Sequence, residues 1–94
     1  MPRFLDLREL ESCLLRSDAK EVALDGPVTE ELMHRLAGEG TLQYFPHFPR
    51  PYFRVDHRSA WVVQGIIGDR KLRLQLFGEN TAATMEKLRW LIEE

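Results

Sequence analysis

Lys71-Leu72-Arg73-Leu74-Gln75-Leu76 alternates polar and apolar positions, and Ala60–Ile67 is an apolar run interrupted at Gln64 and Gly65. Alternation places successive side chains on opposite faces of an extended chain, and a short apolar run bounded by turn residues suits a buried strand, so the pattern predicts two strands, Ala60–Ile67 and Arg70–Phe77. Ile67-Gly68-Asp69-Arg70 has the glycine-first loop of a type II′ hairpin. Closing the chain there sets a register in which Trp61 opposes Leu76, Val63 opposes Leu74 and Gly65 opposes Leu72. The other face then pairs Val62 with Gln75, Gln64 with Arg73 and Ile66 with Lys71. One side of the hairpin is apolar and the other mixed, as a half-buried antiparallel pair requires. Tyr52–Asp56 reads as a third strand of the same meander.

Elsewhere the spacing is helical. Leu7, Leu10 and Leu14 fall on one stripe at about 100° per residue, with Asp6 and Glu9 in capping-box positions and Leu5 and Leu10 placed for a hydrophobic staple. The spacing predicts a helix from about Asp6 to Ser17. A second helix is expected from Thr29 to Ala37, with Thr29 as its cap, Val28, Leu32, Met33 and Leu36 as its stripe, and Gly38 and Gly40 at its end. His34 falls off that stripe. A third begins near Asn80 or Thr81 and runs to the C-terminus, with Thr81, Met85, Leu88 and Ile92 in one sector and Leu91 beside it. Trp90 points almost directly away from that sector.

Two short segments complete the series. Glu21–Leu24 reads as a strand at a sheet edge, closed by the turn residues Asp25-Gly26-Pro27. Thr41–Phe45 reads as another, stopped by Pro46, Pro49 and Pro51, which remove amide donors and make residues 46–51 a stiff, extended connection or irregular edge. The expected architecture is α+β. A three-stranded antiparallel meander plus one or two short strands is covered by about three helices, in two layers.

Ninety-four residues are enough for one domain, 1–94, and too few for a private substrate chamber. No apolar run approaches the roughly 20 residues of a membrane helix, and Asp6 interrupts the N-terminus before a signal-peptide core forms. Cys13 stands alone, so neither an internal disulfide nor a thiolate zinc site is expected, and a reducing, cytoplasmic setting follows. The net charge of −2 is unevenly spread: −4 over residues 1–40, +4 over 41–77 and −2 over 78–94. The basic middle coincides with the predicted strands.

Candidate chemistry is sparse. Cys13, His34, His47 and His57 lack the i,i+3 or i,i+4 spacing of metal ligands; a site would need His47, His57 and Asp56 to converge through folding of the proline segment. No metal or cofactor is expected. Ser12, Ser17 and Ser59 sit in no nucleophile elbow, and no glycine-rich loop is poised for phosphate. The expectation is a protein that is not an enzyme.

Binding surfaces are better represented. Residues 44–58 interleave five aromatics with three arginines. Trp90, Phe45, Phe48, Arg50, Tyr52 and Arg54 make a candidate surface for another protein, or for a second copy of this chain, because tryptophan dominates interface hot spots and a proline-stiffened segment loses little freedom on binding. The competing reading of Trp90 packs it on the first helix or on Phe4. A second function class, single-stranded nucleic acid, would use Arg54, Arg58, Lys71, Arg73 and Gln64 on the polar sheet face, with rings to stack bases. Ordinary solvation of that face, with Phe45, Tyr52 and Phe53 in the core, accounts for the same residues.

Overall fold

The computed structural model describes residues 3–10, 17–57, 60–78 and 81–93. Among them the elements are β1 (Phe4–Leu10), β2 (Ser17–Leu24), α1 (Glu30–Ala37), β3 (Thr41–Phe45), β4 (Tyr52–His57), β5 (Trp61–Ile66), β6 (Lys71–Phe77) and α2 (Thr81–Glu93). All the strands join one antiparallel sheet in the order β1-β2-β6-β5-β4-β3. The fold is α+β, with six strands and two helices among the described residues where a meander under about three helices was expected.

The β5–β6 register agrees with the alternation. Trp61 opposes Leu76, Val63 opposes Leu74, Gly65 opposes Leu72, Val62 opposes Gln75 and Gln64 opposes Arg73. The turn is one residue out of phase with the type II′ expectation. Asp69 donates its N–H to the Ile66 carbonyl at 3.1 Å, so Gly68 is the third residue of the closing turn, and it carries the positive φ of 92°. That is where a type II turn needs glycine. The ladder therefore ends at Gly65–Leu72, and Ile66 with Lys71 lies beyond it. The loop is held from outside as well: Val28 N–H donates to Asp69 C=O at 2.7 Å and Gly68 N–H to Val28 C=O at 2.8 Å.

Residues 4–10 correct the expected N-terminal helix. They form the sheet's outer strand, with Leu7 opposite Val22 and Arg8 opposite Glu21. Leu5-Asp6-Leu7-Arg8 alternates apolar and polar, a period-2 signal inside a stretch that also fits period 3.6. Pairing with β2 decides between them, since tertiary context overrides local preference. Asp6 does not cap a helix; its carboxylate accepts the N–H of Leu7 at 2.9 Å. The remainder of that expected helix, with Cys13, lies outside the described residues up to Ser17, which begins β2. The Glu21–Leu24 strand is correspondingly longer, and it sits inside the sheet between β1 and β6, not at its edge.

Both remaining helices form where their stripes predict. Thr29 caps α1, accepting the Leu32 N–H, and Leu32, Met33 and Leu36 are buried. On α2, Leu88, Leu91 and Ile92 are buried. These side chains make one core with Val22, Leu24, Phe53, Val55, Trp61, Val63, Leu72, Leu74 and Leu76. Every sheet residue in that cluster faces the same side, so the helices cover one face. Phe53 is in the core as one reading held, whereas Phe45 and Tyr52, out of phase with it, are not. Residues 46–51 are a compact loop more than an extended path: Phe48 N–H returns to Phe45 C=O at 3.4 Å, and β3 and β4 pair as a hairpin around it.

Candidate functional site

The uncovered face of the sheet carries a continuous polar row. Its register runs Arg8, Glu21, Arg73, Gln64, Arg54, Gln43 across all the strands. Alternation produces the row, because each of these residues points away from the helix-covered side that its neighbours in the strand face. Gln64, Arg73 and Lys71 surround a hollow of about 270 Å³ that Glu21 and Tyr52 also line. Arg54 stands next to Gln64 in the register. Arg58, the remaining nucleic-acid candidate, lies outside the described residues.

The electrostatics of this face are mixed. Arg8 pairs with Glu21 at 2.9 Å and Arg54 with Asp56 at 3.6 Å. Among the described residues Lys71 and Arg73 form no ion pair. Glu21 lies between Arg8 and Arg73 in the row, so the cations are interrupted by an anion. At the β3–β4 end, Phe45 stacks on Phe48 with ring centroids 5.0 Å apart and on Tyr52 at 6.0 Å. Phe48 is the exposed member of this stack, and Arg50 nearby reaches Asp69 at 3.7 Å.

Trp90 lies elsewhere. It stands on the outer side of α2, 60 % exposed, and does not pack into the core. Since α2 covers the face opposite to the polar row, Trp90 and the cluster of Phe45, Phe48, Arg50, Tyr52 and Arg54 occupy opposite sides of the sheet. The candidate protein-binding set is therefore two surfaces. On the Trp90 side an open groove of about 590 Å³ runs between α2 and β1, with Leu5, Leu7, Ala82 and Met85 along it. Leu5 is 68 % and Leu7 42 % exposed. A helix beginning at Asp6, with Leu7 inside it and Leu5 as a staple before it, leaves no such groove; the alternation Leu5-Asp6-Leu7-Arg8 is the signal for it.

His47 and His57 do not converge among the described residues. His57 stacks flat on Trp61 at 5.2 Å, and its Nδ1 contacts the Glu39 carbonyl, which requires the Nδ1–H tautomer. His47 packs edge-on to Phe48, at the other end of β4. β4 itself spans roughly 16 Å at about 3.3 Å per residue, with His57 at the end away from the loop that carries His47. Among the described residues no three His, Cys, Asp or Glu side chains cluster as metal ligands would. The Tyr44 hydroxyl donates to Glu30 at 3.3 Å. Partial burial first, then the Glu30 charge and hydrogen bond, push its phenol above the ordinary tyrosine value, so it remains a donor at neutral pH.

Compared with known proteins, the chain matches no family model, no curated protein and no solved structure. No helix among the described residues is long and apolar enough to cross a membrane.

Proposed function

We propose that this chain is a non-catalytic domain that acts by binding another polypeptide, through the side of the molecule formed by α2 and β1. The observation that carries the reading is the exposure of Trp90, together with Leu5 and Leu7 on the neighbouring strand. A large aromatic on a helix that already has its own buried stripe adds nothing to that stripe, while at an interface it supplies contact area with little loss of side-chain freedom. Glu86 and Arg89 line the same groove and supply the polar rim that such contacts use. Neither a cofactor nor a metal is needed for this role.

A second reading has its own support. Gln64, Lys71 and Arg73 ring one hollow with Tyr52, a combination suited to a phosphate and a stacked base of a single-stranded nucleic acid. The interleaved Glu21 and the Arg54–Asp56 pair weaken it.

One experiment separates the two. Polypeptides retained from a cell extract by the wild-type chain are compared with those retained by Trp90→Ala, and the pure protein is titrated with a labelled single-stranded oligonucleotide at several salt concentrations. The first reading expects retention that depends on Trp90 and no steep salt-dependent oligonucleotide binding. Oligonucleotide affinity falling steeply with salt, with retention indifferent to Trp90, would replace it with the second.

A further inference from the structure

Resting on the reading of the α2–β1 side as a protein-binding surface, we infer that its partner is a second copy of this chain, joined by antiparallel pairing of β1 with β1 about a two-fold axis at Leu7. β1 is an outer strand of the sheet, so among the described residues one of its edges has no neighbouring strand. The direction of that edge follows from the hydrogen bonds. Leu24 N–H donates to Arg70 C=O on the β6 side. Alternation then turns the backbone of Ala23, Glu21 and Ala19 toward β1, where they face Asp6, Arg8 and Leu10. The N–H and C=O of Leu7 consequently point outward. The contact of the Leu7 N–H with the carboxylate of Asp6, its own neighbour, agrees with this.

Self-complementarity selects the partner. With Leu7 opposite its own copy, Asp6 of each chain stands opposite Arg8 of the other, twice in one seam. Shifting the register by two residues in either direction loses at least one of these pairs. Arg8 can serve both Glu21 and an incoming Asp6, because its side chain is 68 % exposed and a guanidinium has five donors. Asp6 forms no ion pair among the described residues, and it releases the Leu7 N–H to the other strand as it turns to Arg8. Charges on an edge strand ordinarily repel foreign strands; here the same charges admit this one. The helix side of the seam brings the two Leu7 side chains together and joins the two grooves, covering apolar surface that each chain leaves open.

A charge exchange tests the inference. Sedimentation equilibrium of the wild-type chain is expected to show a reversible dimer, and Asp6→Arg or Arg8→Asp alone should each weaken it by at least about tenfold, since like charges then face each other twice. An equimolar mixture of the two single variants should recover a one-to-one heterodimer, one chain carrying both cations and the other both anions. Circular dichroism shows whether each variant is folded. Should Arg8→Asp fail to fold for want of its Glu21 contact, Leu7→Cys in a Cys13→Ser background supplies an independent readout: oxidation is expected to link two chains through position 7. A chain that stays monomeric at high concentration overturns the inference, and so does a dimer indifferent to the exchange and not linked through position 7. Trp90-dependent retention of a different protein by a monomeric chain would still uphold the wider reading; a β1-linked dimer indifferent to Trp90→Ala would uphold this seam while removing Trp90 from it.

Discussion

Glu93, in the last turn of α2, accepts the backbone N–H of Phe4 at 2.9 Å, closing a span of 89 residues between the first strand and the last helix. Arg89, one turn earlier, donates to the other oxygen of the same carboxylate at 3.1 Å and lies over the Phe4 ring, 5.7 Å from its centroid. One carboxylate thus fixes where β1 sits against α2, and with it the width of the groove that holds Leu5 and Leu7.

This contact makes β1 docking sensitive to acid. The Phe4 hydrogen bond chiefly, offset by some desolvation and aided by Arg89 and Arg3, holds the Glu93 carboxyl below the usual glutamate range. A carboxylate lowered on folding contributes stability that is fully present above its unfolded pKa and is lost as pH falls through its folded value. The Phe4 amide resonance is therefore expected to move in acid at a pH below the ordinary glutamate titration, and Glu93→Gln should abolish that titration. Hydrogen exchange at Phe4 should be faster in Glu93→Gln at neutral pH. A Phe4 amide that titrates unchanged in the variant would show that another group is responsible.

The two tryptophans should behave oppositely. Trp61 is 1 % exposed, inside the core and stacked on His57, so Trp61→Ala is expected to cost about 3–5 kcal/mol in urea unfolding. Trp90→Ala removes a side chain from solvent and should stay within about 0.5 kcal/mol of wild type. In the wild-type monomer, acrylamide should quench one emitting component strongly and leave a blue-shifted one. Equal destabilisation by the two variants would mean that Trp90 is packed.

Two glycines are held for different reasons. A Cβ on Gly65 would lie 2.6 Å from Leu72 Cδ2 and 2.9 Å from Phe53 Cε1, inside a packed core. Gly65→Ala is expected to destabilise by about 1–3 kcal/mol through overpacking. Gly68 meets no such crowding, but its φ of 92° strains any other residue, and Gly68→Ala should cost about 1–2 kcal/mol. A compensating Leu72→Val should recover part of the loss in Gly65→Ala and none in Gly68→Ala. Chemical denaturation of the four proteins measures this directly.

The sequence exposed its structure unevenly. The β5–β6 register was legible because Trp61, Val63, Leu72, Leu74 and Leu76 admit one alignment that buries them all. The α1 stripe and its cap were legible for the same local reason. The N-terminal strand was not, since Leu7 fits period 2 with Leu5 and helical spacing with Leu10, and only pairing with β2 chooses between them. Position in the sheet was equally hidden: β2 pairs with β6, some fifty residues away, and short-range patterning carries no record of that. For the candidate surfaces, exposure of Trp90 followed from its angle on the helix. The separation of Trp90 from Phe45 and Tyr52 required knowing which sheet face the helices cover.

Thr29 offers a test of how much α1 depends on its first turn. The helix has eight residues, too few to be stable alone, so its ends and its packing determine whether it forms. The Thr29 hydroxyl accepts the Leu32 N–H at 3.2 Å, and Glu30 and Glu31 follow at the positive end of the helix dipole. Thr29→Ala leaves that N–H without its partner and is expected to cost about 1 kcal/mol, whereas Thr29→Ser keeps an oxygen in place and should stay near wild type. Because Leu32, Met33 and Leu36 enter the same core as β4 and α2, the loss should appear as a shift of the whole unfolding transition. Fraying of α1 by itself, with the main transition unmoved, would show that the sheet and α2 hold the core without it.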